Sequence, residues 1–349
     1  MIYLVGGARP NFIKIAAISR AFETYKIAYE IIHTGQHYDY NMDKVFFDDL
    51  CLKKPYAHLN VGSGTHSEQT AKIMYRFEKL CILKRPDMVF TVGDVNSTMA
   101  AALVAAKLRI PLSHQEAGMR SGDMDMPEEV NRIVTDHISD YLFPISIQDK
   151  NNLSAEGISK NVFLVGDVMI DSLLHYMKFI NKIKQKYILV EIHRPANVDD
   201  RQNLKQIIMA IARLAKMHQI IFSVHPRTKK MISQFKFWPL LNEVRCVNPM
   251  GYFKFLKYMS NAFTVITDSD GIQQETSVLD IPCVSVRNTT NIQYTVKYGT
   301  NTLVEPNADQ IYMAVLYARK RSDFPEELKK LNDGNASKRI ADIIKCQIM

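Results

Sequence analysis

Short apolar runs alternate with amphipathic stretches along most of the 349 residues. The runs are rich in Val, Ile, Leu and Phe and lack polar alternation, which is typical of parallel strands buried on both faces. Helical periodicity fills most of the intervals and returns at 336–346. The predicted strands are 2–6, 28–33, 88–92, 110–114, 141–144, 162–165, 187–191, 219–223, 243–247, 263–266, 282–286 and 301–304.

Two successive sets of six βα units predict an α/β protein with two Rossmann-like, doubly wound parallel sheets. A chain of this length is also long for one hydrophobic core. We expect a first domain at 1–168, a second at 169–332, and a helical segment at 333–349 that packs back on the first. Two such domains facing each other would leave a cleft lined by strand carboxyl ends, where ligands bind in open α/β sheets.

Composition and charge narrow the classes of function. A hydrophobic content of 47% and a charged content of 23% are ordinary for a globular protein. No apolar run is as long as a membrane span, and the start lacks the features of a signal peptide, so we expect a cytoplasmic protein. The net charge of +8 is spread out, without a nucleic-acid motif, so no nucleic-acid partner is expected. Five scattered cysteines indicate neither zinc nor disulfides.

In the first half, charged residues gather where predicted strands end. The glycine loop at 6–14 carries Arg9 and Lys14 and precedes a helix, which suits an anion, although a structural turn explains the glycines equally well. Asp94 follows the strand at 88–92, where capping of the next helix is the competing interpretation. Glu116 follows the strand at 110–114.

Three carboxylates and two arginines crowd the stretches 114–120 and 127–132, and such crowding is costly unless chemistry or a charged ligand uses it. Glu128 and Glu129 follow Pro127, where acidic residues also favour the first turn of a helix. One of the two is well explained in that way.

The second half repeats this placement. His193 and Arg194 follow the strand at 187–191, and His225 and Arg227 follow the strand at 219–223. Each pair of a histidine and an arginine suits a diphosphate. After the strand at 263–266, a helix opens with residues that suit a phosphate and with a glutamate whose two oxygens could accept ribose hydroxyls. The residues are Ser269, Asp270, Gly271 and Glu275. Together they favour nucleotide binding over an ordinary capped helix.

The chain resembles the non-hydrolysing UDP-N-acetylglucosamine 2-epimerase family over nearly its whole length. The order and spacing of its motifs carry this resemblance. They are Gly-Ala-Arg-Pro at 7–10, His-Thr-Gly-Gln-His at 33–37, Gly93-Asp94 with Ser97, Glu116, Pro127-Glu128-Glu129, the segment 166–171, His193-Arg194, His225-Pro226-Arg227, Thr267-Asp268-Ser269 and the segment 333–337.

The resemblance implies a glycosyltransferase-B-like fold, an isomerase, a UDP-sugar substrate, a homodimer, and neither metal nor nicotinamide. It implies that UDP is eliminated across C1–C2 to give a 2-acetamidoglucal, and is then added back with C2 inverted. Asp94, Glu116 and Glu128 would share the acid, base and positioning roles, with His193 at the diphosphate. The second domain would bind UDP, through Ser269 and Gly271 at the diphosphate, Glu275 at the ribose and Phe255 near the uracil, while Arg9 binds phosphate.

Two departures leave the sugar open. The family usually has Gly where this chain has Asp270, and a carboxylate beside a diphosphate is unfavourable unless it points away. A typical Thr-Glu-Arg-Pro-Glu is Thr-Asn-Ile-Gln-Tyr at 290–294. The alternatives are therefore a 2-epimerase of UDP-2,3-diacetamido-glucuronic acid or of a 6-deoxy-2-acetamido sugar, a hydrolysing 2-epimerase, a glycosyltransferase of the same architecture, and an inactive UDP-binding paralogue.

Overall fold

The computed structural model of the chain describes residues 1–36, 47, 49–181, 186–290, 292–318 and 322–348. Contacts within the chain divide it into two units. The first comprises Met1–Leu174 together with Glu327–Met349, and the second comprises His175–Glu326. Each unit is built around one six-stranded sheet.

All described strand pairs are parallel. The order is β3-β2-β1-β4-β5-β6 in the first unit and β12-β11-β10-β7-β8-β9 in the second, which is the Rossmann order in both. The strands are β1 Ile2–Gly6, β2 Tyr29–His33, β3 Ala57–His58, β4 Met88–Val92, β5 Leu112–Gln115, β6 Tyr141–Phe143, β7 Tyr187–Glu191, β8 Gln219–Ser223, β9 Arg245–Val247, β10 Thr264–Thr267, β11 Cys283–Val286 and β12 Asn301–Val304.

Helices connect the strands and cover the sheets. They are α1 Arg9–Tyr25, α2 His66–Leu83, α3 Asn96–Lys107, α4 Pro127–Ile138, α5 Ile147–Ala155, α6 Val168–Met177, α7 Pro195–Val198, α8 Arg201–Ala215, α9 Pro226–Gln234, α10 Tyr252–Asn261, α11 Asp270–Val278, α12 Gln293–Lys297, α13 Ala308–Leu316, α14 Glu326–Leu331 and α15 Ala336–Ile343. Within the described ranges, none of them combines the length and the apolar character that a bilayer crossing needs.

Eleven of the twelve predicted strands are confirmed, with ends that differ by at most two residues. The prediction at 162–165 is wrong. That segment runs beside β6, where only Val162 forms a bridge, to Leu142. The sixth strand of the first sheet is instead β3, which has two residues and no apolar run, so hydrophobic patterning gave no sign of it.

The final helix belongs to the first unit, where it packs on α1. Asp171 fixes its start: the carboxylate accepts hydrogen bonds from the backbone N–H groups of Ala336 and Ser337 and from the Ser337 hydroxyl. The segments 166–171 and 333–337, which helped to carry the family resemblance, are thus joined by a helix cap.

Candidate active site

The switch point of the first sheet lies between β1 and β4, and polar groups meet there. Gly7 and Ala8 donate their backbone N–H groups to the side-chain oxygen of Asn11. A Cβ on Gly7 would lie only 2.0 Å from the Ser97 hydroxyl oxygen. The loop after β1 is therefore a close-packed turn whose amides are already bonded within the protein. This favours the structural interpretation of its glycines.

Glu116 follows β5 and pairs with Lys14 of α1. The Lys14 ammonium lies 2.5 Å from the Glu116 carboxylate, and each side chain is about nine-tenths buried, with 11% of its area exposed. Burial alone would lower the pKa of Lys14, but the carboxylates of Glu116 and Asp94 raise it above its usual value. The sequence predicted that Lys14 binds an anionic ligand. In the structure, Lys14 instead forms an ion pair with Glu116.

Asp94 follows β4, the neighbour of β5. It does not cap α3; its carboxylate lies 2.5 Å from the Arg132 guanidinium. Arg132 also contacts Glu129 at 2.8 Å, and Glu129 accepts hydrogen bonds from the backbone of Ser121 and Gly122. Glu129 and Arg132 therefore form the support of Asp94.

Gly93 places Asp94 beside Glu116. Its φ of +70° is in the left-handed region, and a Cβ there would lie 3.2 Å from the Lys14 ammonium and 3.4 Å from the Glu116 carboxylate. The Gly93 carbonyl accepts a hydrogen bond from His114, whose other nitrogen contacts Asp136 at 2.7 Å. A side chain at this position would strain the backbone and crowd the pair of Lys14 and Glu116.

Glu128 is the second residue of α4 and is half-buried. Arg9 begins α1 and is half-buried as well. Asp167, a member of the segment 166–171, was missed as a site residue. It is buried, and both burial and the Glu116 carboxylate raise its pKa.

The second unit brings most of its predicted residues to the carboxyl ends of three adjacent strands, β10, β7 and β8. Asp268, after β10, is fully buried. Its carboxylate accepts hydrogen bonds from the backbone N–H groups of His193 and Arg194 and from the Asn197 amide. It ties the loop after β7 to β10. In the sequence, Asp268 stood out only as a member of the motif Thr267-Asp268-Ser269. The sign of its role was its position directly after β10, the neighbour of β7 in the sheet.

Asp270 contacts two arginines. Its carboxylate lies 2.6 Å from the Arg194 guanidinium and also pairs with Arg287, which follows β11. The sequence interpretation missed Arg287, although this residue directly follows a predicted strand, as His193 does. The extra carboxylate at the start of α11 is thus neutralised within the unit rather than left beside a ligand.

Thr290 lies in the segment 290–294 and also approaches Asp270, and it thus links the two places where the chain departs from the family. Its hydroxyl donates to Gln273 at 2.7 Å and lies 3.4 Å from the Asp270 carboxylate. Ile292 is buried, with 2% of its surface exposed. His37 of the motif at 33–37 and Asn291 of the segment at 290–294 lie outside the described residues.

His193 is paired with an acid that the sequence interpretation missed, Glu191, the last residue of β7. The ring nitrogen Nδ1 lies 2.9 Å from Glu191 and 3.4 Å from Asp268. Burial by itself would lower the pKa of His193, but these two carboxylates raise it to about 9. His225 packs beside it, with ring centroids 5.5 Å apart.

Glu191, His193 and Asp268 are also the residues whose donor atoms, all within 4.8 Å of one another, could hold a metal ion. The Asp268 oxygens already accept N–H groups from His193, Arg194 and Asn197, and this leaves them poorly placed to bind a cation. The donor set therefore fits a metal poorly.

Ser269, Gly271 and Glu275 lie at the start and on the second turn of α11, and Phe255 is half-buried on α10. Glu275 is buried and accepts a hydrogen bond of 2.6 Å from the Tyr252 hydroxyl. Burial raises its pKa to about 7.

This value predicts a pH dependence of UDP binding, if Glu275 binds the ribose. Two ribose hydroxyls donate best to the ionised carboxylate, so binding below about pH 7 requires loss of the proton and should weaken by up to about tenfold per pH unit. Isothermal titration calorimetry with UDP between about pH 6 and about pH 8 measures this. The other titrating groups, including UDP itself, are the same in the unchanged protein and in Glu275→Gln. The ratio of the UDP affinities of these two proteins therefore isolates the effect of Glu275. A ratio that does not change with pH would contradict it.

The UDP-N-acetylglucosamine 2-epimerase family model matches residues 20–345. A UDP-N-acetylglucosamine 2-epimerase of Methanocaldococcus jannaschii is 42% identical over 330 residues, which cover 89% of this chain and 90% of that protein. A UDP-2,3-diacetamido-2,3-dideoxy-D-glucuronate 2-epimerase of Pseudomonas aeruginosa is 35% identical, covering 98% of this chain and 99% of that one.

Among solved structures, the M. jannaschii UDP-GlcNAc 2-epimerase in complex with UDP-GlcNAc and UDP is similar, with a TM-score of 0.87 and 39% identity. The match covers 99% of both chains. The predicted fold class, two Rossmann-like sheets of the glycosyltransferase-B type, is confirmed by this likeness and by the two sheets described above.

Proposed function

The chain belongs to the UDP-N-acetylglucosamine 2-epimerase family, and from this premise we propose that it is a non-hydrolysing 2-epimerase of a UDP-2-acetamido sugar. The observation that carries the proposal is the pair of carboxylates at adjacent strand ends of the first unit. Asp94 is held by Arg132, and Glu116 is held by Lys14. Each acid is held by its own cation, so two carboxyl groups are positioned at neighbouring strand ends, where proton transfer from two directions needs two such groups.

The C2 hydrogen of a nucleotide sugar is not acidic, so the reaction is proposed to proceed by elimination. A carboxylate removes the C2 proton, the C1–O bond to UDP breaks, and a 2-acetamidoglucal forms. An acid then returns a proton to the opposite face of C2 while a β-phosphate oxygen of UDP re-forms the bond to C1. Asp94, Glu116 and Glu128 share the proton transfers and the positioning of the sugar.

The second unit is proposed to bind UDP. The imidazolium of His193 and the guanidinium groups of Arg194 and Arg287 supply positive charge at the diphosphate. The start of α11 supplies the Ser269 hydroxyl and the backbone N–H of Gly271. Asp270 shares Arg194 and Arg287 with the incoming anion. Glu275 binds the ribose, and Phe255 lies near the uracil.

A modified sugar is the second candidate substrate. The P. aeruginosa relative named for a UDP-diacetamido-glucuronate matches nearly all of this chain. The buried Ile292 stands where an arginine is common in the family, and this position therefore offers no cation to a sugar carboxylate. Among the modified sugars, this favours an uncharged 6-deoxy-2-acetamido sugar over the glucuronate. The predictions of a homodimer and of a cytoplasmic location remain predictions.

The test is a panel of UDP-2-acetamido sugars incubated with the protein, with the C2 configuration and free UDP followed by NMR. An equilibrium mixture of two nucleotide sugars that differ at C2 supports the proposal and identifies the sugar. Steady release of UDP with a free 2-acetamido sugar would assign the hydrolysing activity instead. Binding of UDP without conversion of any sugar would assign a binding role.

A further inference from the structure

Glu191 ends β7 two residues before His193. Its Oε1 lies 2.9 Å from Nδ1 of His193, while its Oε2 accepts a long hydrogen bond of 3.4 Å from the Thr267 hydroxyl. The Glu191 side chain is 16% exposed. The shortest contact of this carboxylate is therefore with the imidazole that is proposed to face the diphosphate.

The contact joins the Glu191 carboxylate to Nδ1 of His193 at 2.9 Å, and the negative charge of Glu191 is the largest influence that raises the pKa of the ring. An ion pair depends on a protonated ring, whereas a hydrogen bond forms with a neutral one as well. The removal of the charge from Glu191, with its shape retained, should therefore change the protonation of His193.

Asp268 does not take this role. It lies farther from Nδ1, at 3.4 Å, and its oxygens accept hydrogen bonds from the backbone of His193 and Arg194 and from Asn197. Those bonds fix the loop, and Asp268 adds to the positive charge of the ring from a greater distance than Glu191.

The other groups around the ring oppose its charge. Burial and the Arg194 guanidinium lower the pKa of His193, and His225 stands 5.5 Å away as a second ring that can carry positive charge. Glu191 and Asp268 outweigh them, and the pKa of His193 is raised to about 9. The His193 side chain is still 36% exposed, so a ligand can reach it.

We propose that Glu191 is a positioning residue whose carboxylate holds His193 as an imidazolium at the end of β7, ready to neutralise the diphosphate when the C1–O bond breaks. This inference rests on the proposed function, because it assigns the His193 charge to the leaving UDP. It adds to the site a residue that touches neither the sugar nor the nucleotide.

The test is the ring titration of His193, followed by NMR in the ligand-free protein and assigned by the signal that His193→Gln removes. Glu191→Gln should lower the His193 pKa by about 1–2 units, because an opposite charge at this distance is removed. The upper limb of the pH profile for UDP binding should shift downward with it. Glu243→Gln, on an exposed residue of the same unit, should leave the titration unchanged.

An unchanged His193 pKa in Glu191→Gln would overturn the inference. If that variant does not fold, Glu191→Asp decides: it keeps the charge at a greater distance, so His193 should titrate at a lower pH than in the unchanged protein, and an identical titration would overturn the inference. The titration needs no turnover. A protein that fails to epimerise any sugar but shows the pKa shift would refute the proposed function and not the ion pair.

Discussion

Glu116→Gln is expected to lower kcat for epimerisation by about 10³-fold while UDP still binds, since a positioned acid or base typically contributes between about 10² and about 10⁴. The amide keeps the shape of the side chain but transfers no proton. UDP is proposed to bind through the second unit, which the substitution leaves intact. Single-turnover kinetics and calorimetry with UDP separate the two effects.

Glu116→Gln also leaves the Lys14 ammonium buried without its partner, which is expected to cost about 3 kcal/mol of stability. The double variant Lys14→Met with Glu116→Gln removes this cost. If Glu116 served only to pair with Lys14, the double variant would recover activity, and that recovery would contradict the proton-transfer role. Glu23→Gln, which breaks an exposed pair with Lys53, is the matched control and should change neither property much.

Asp268→Asn is expected to weaken UDP binding by about 10²-fold and to lower the free energy of unfolding by about 3 kcal/mol. The carboxylate is fully buried and accepts three N–H groups from the loop after β7. An asparagine has one acceptor oxygen and would turn its NH₂ group toward a donor. The loop that carries His193 and Arg194 should then lose its fixed position.

Chemical denaturation and calorimetry with UDP measure the two effects. Asp309→Asn is the control, because this aspartate is exposed and pairs with Arg213 at the surface, where the change should be small. Normal UDP affinity in a folded Asp268→Asn would show that the loop after β7 does not need its tie to β10.

The buried parallel strands could be predicted because each is a continuous apolar run, and the loops that follow them were found by the same pattern. The edge strand Ala57–His58 could not, because two residues at the sheet edge carry no such pattern. The predicted strand at 162–165 was the opposite error. This apolar run lies beside β6 but forms only a single bridge, at Val162.

The candidate site residues were recognised by type and position, but their partners were not. Lys14 and Glu116 lie 102 residues apart, and only the sheet brings them together. The sequence therefore assigned Lys14 to an anion of a ligand, whereas the fold pairs it with a carboxylate. Arg287 and Glu191 had a local sign, their place at a strand end, but neither belonged to a conspicuous motif.

The departure at Asp270 is explained by the same kind of pairing. A carboxylate at the start of a phosphate-binding helix is unfavourable by itself, yet Arg194 and Arg287 neutralise it. Only the three-dimensional arrangement shows this, because Arg287 lies on another strand end.

The most direct test of the central claim is epimerisation in D₂O with the sugar that the panel identifies. Elimination and re-addition break the C2–H bond and take the new hydrogen from an acid that exchanges with solvent. The account predicts deuterium at C2 of the product nucleotide sugar. Inversion at C2 during turnover without any incorporation of deuterium would contradict it.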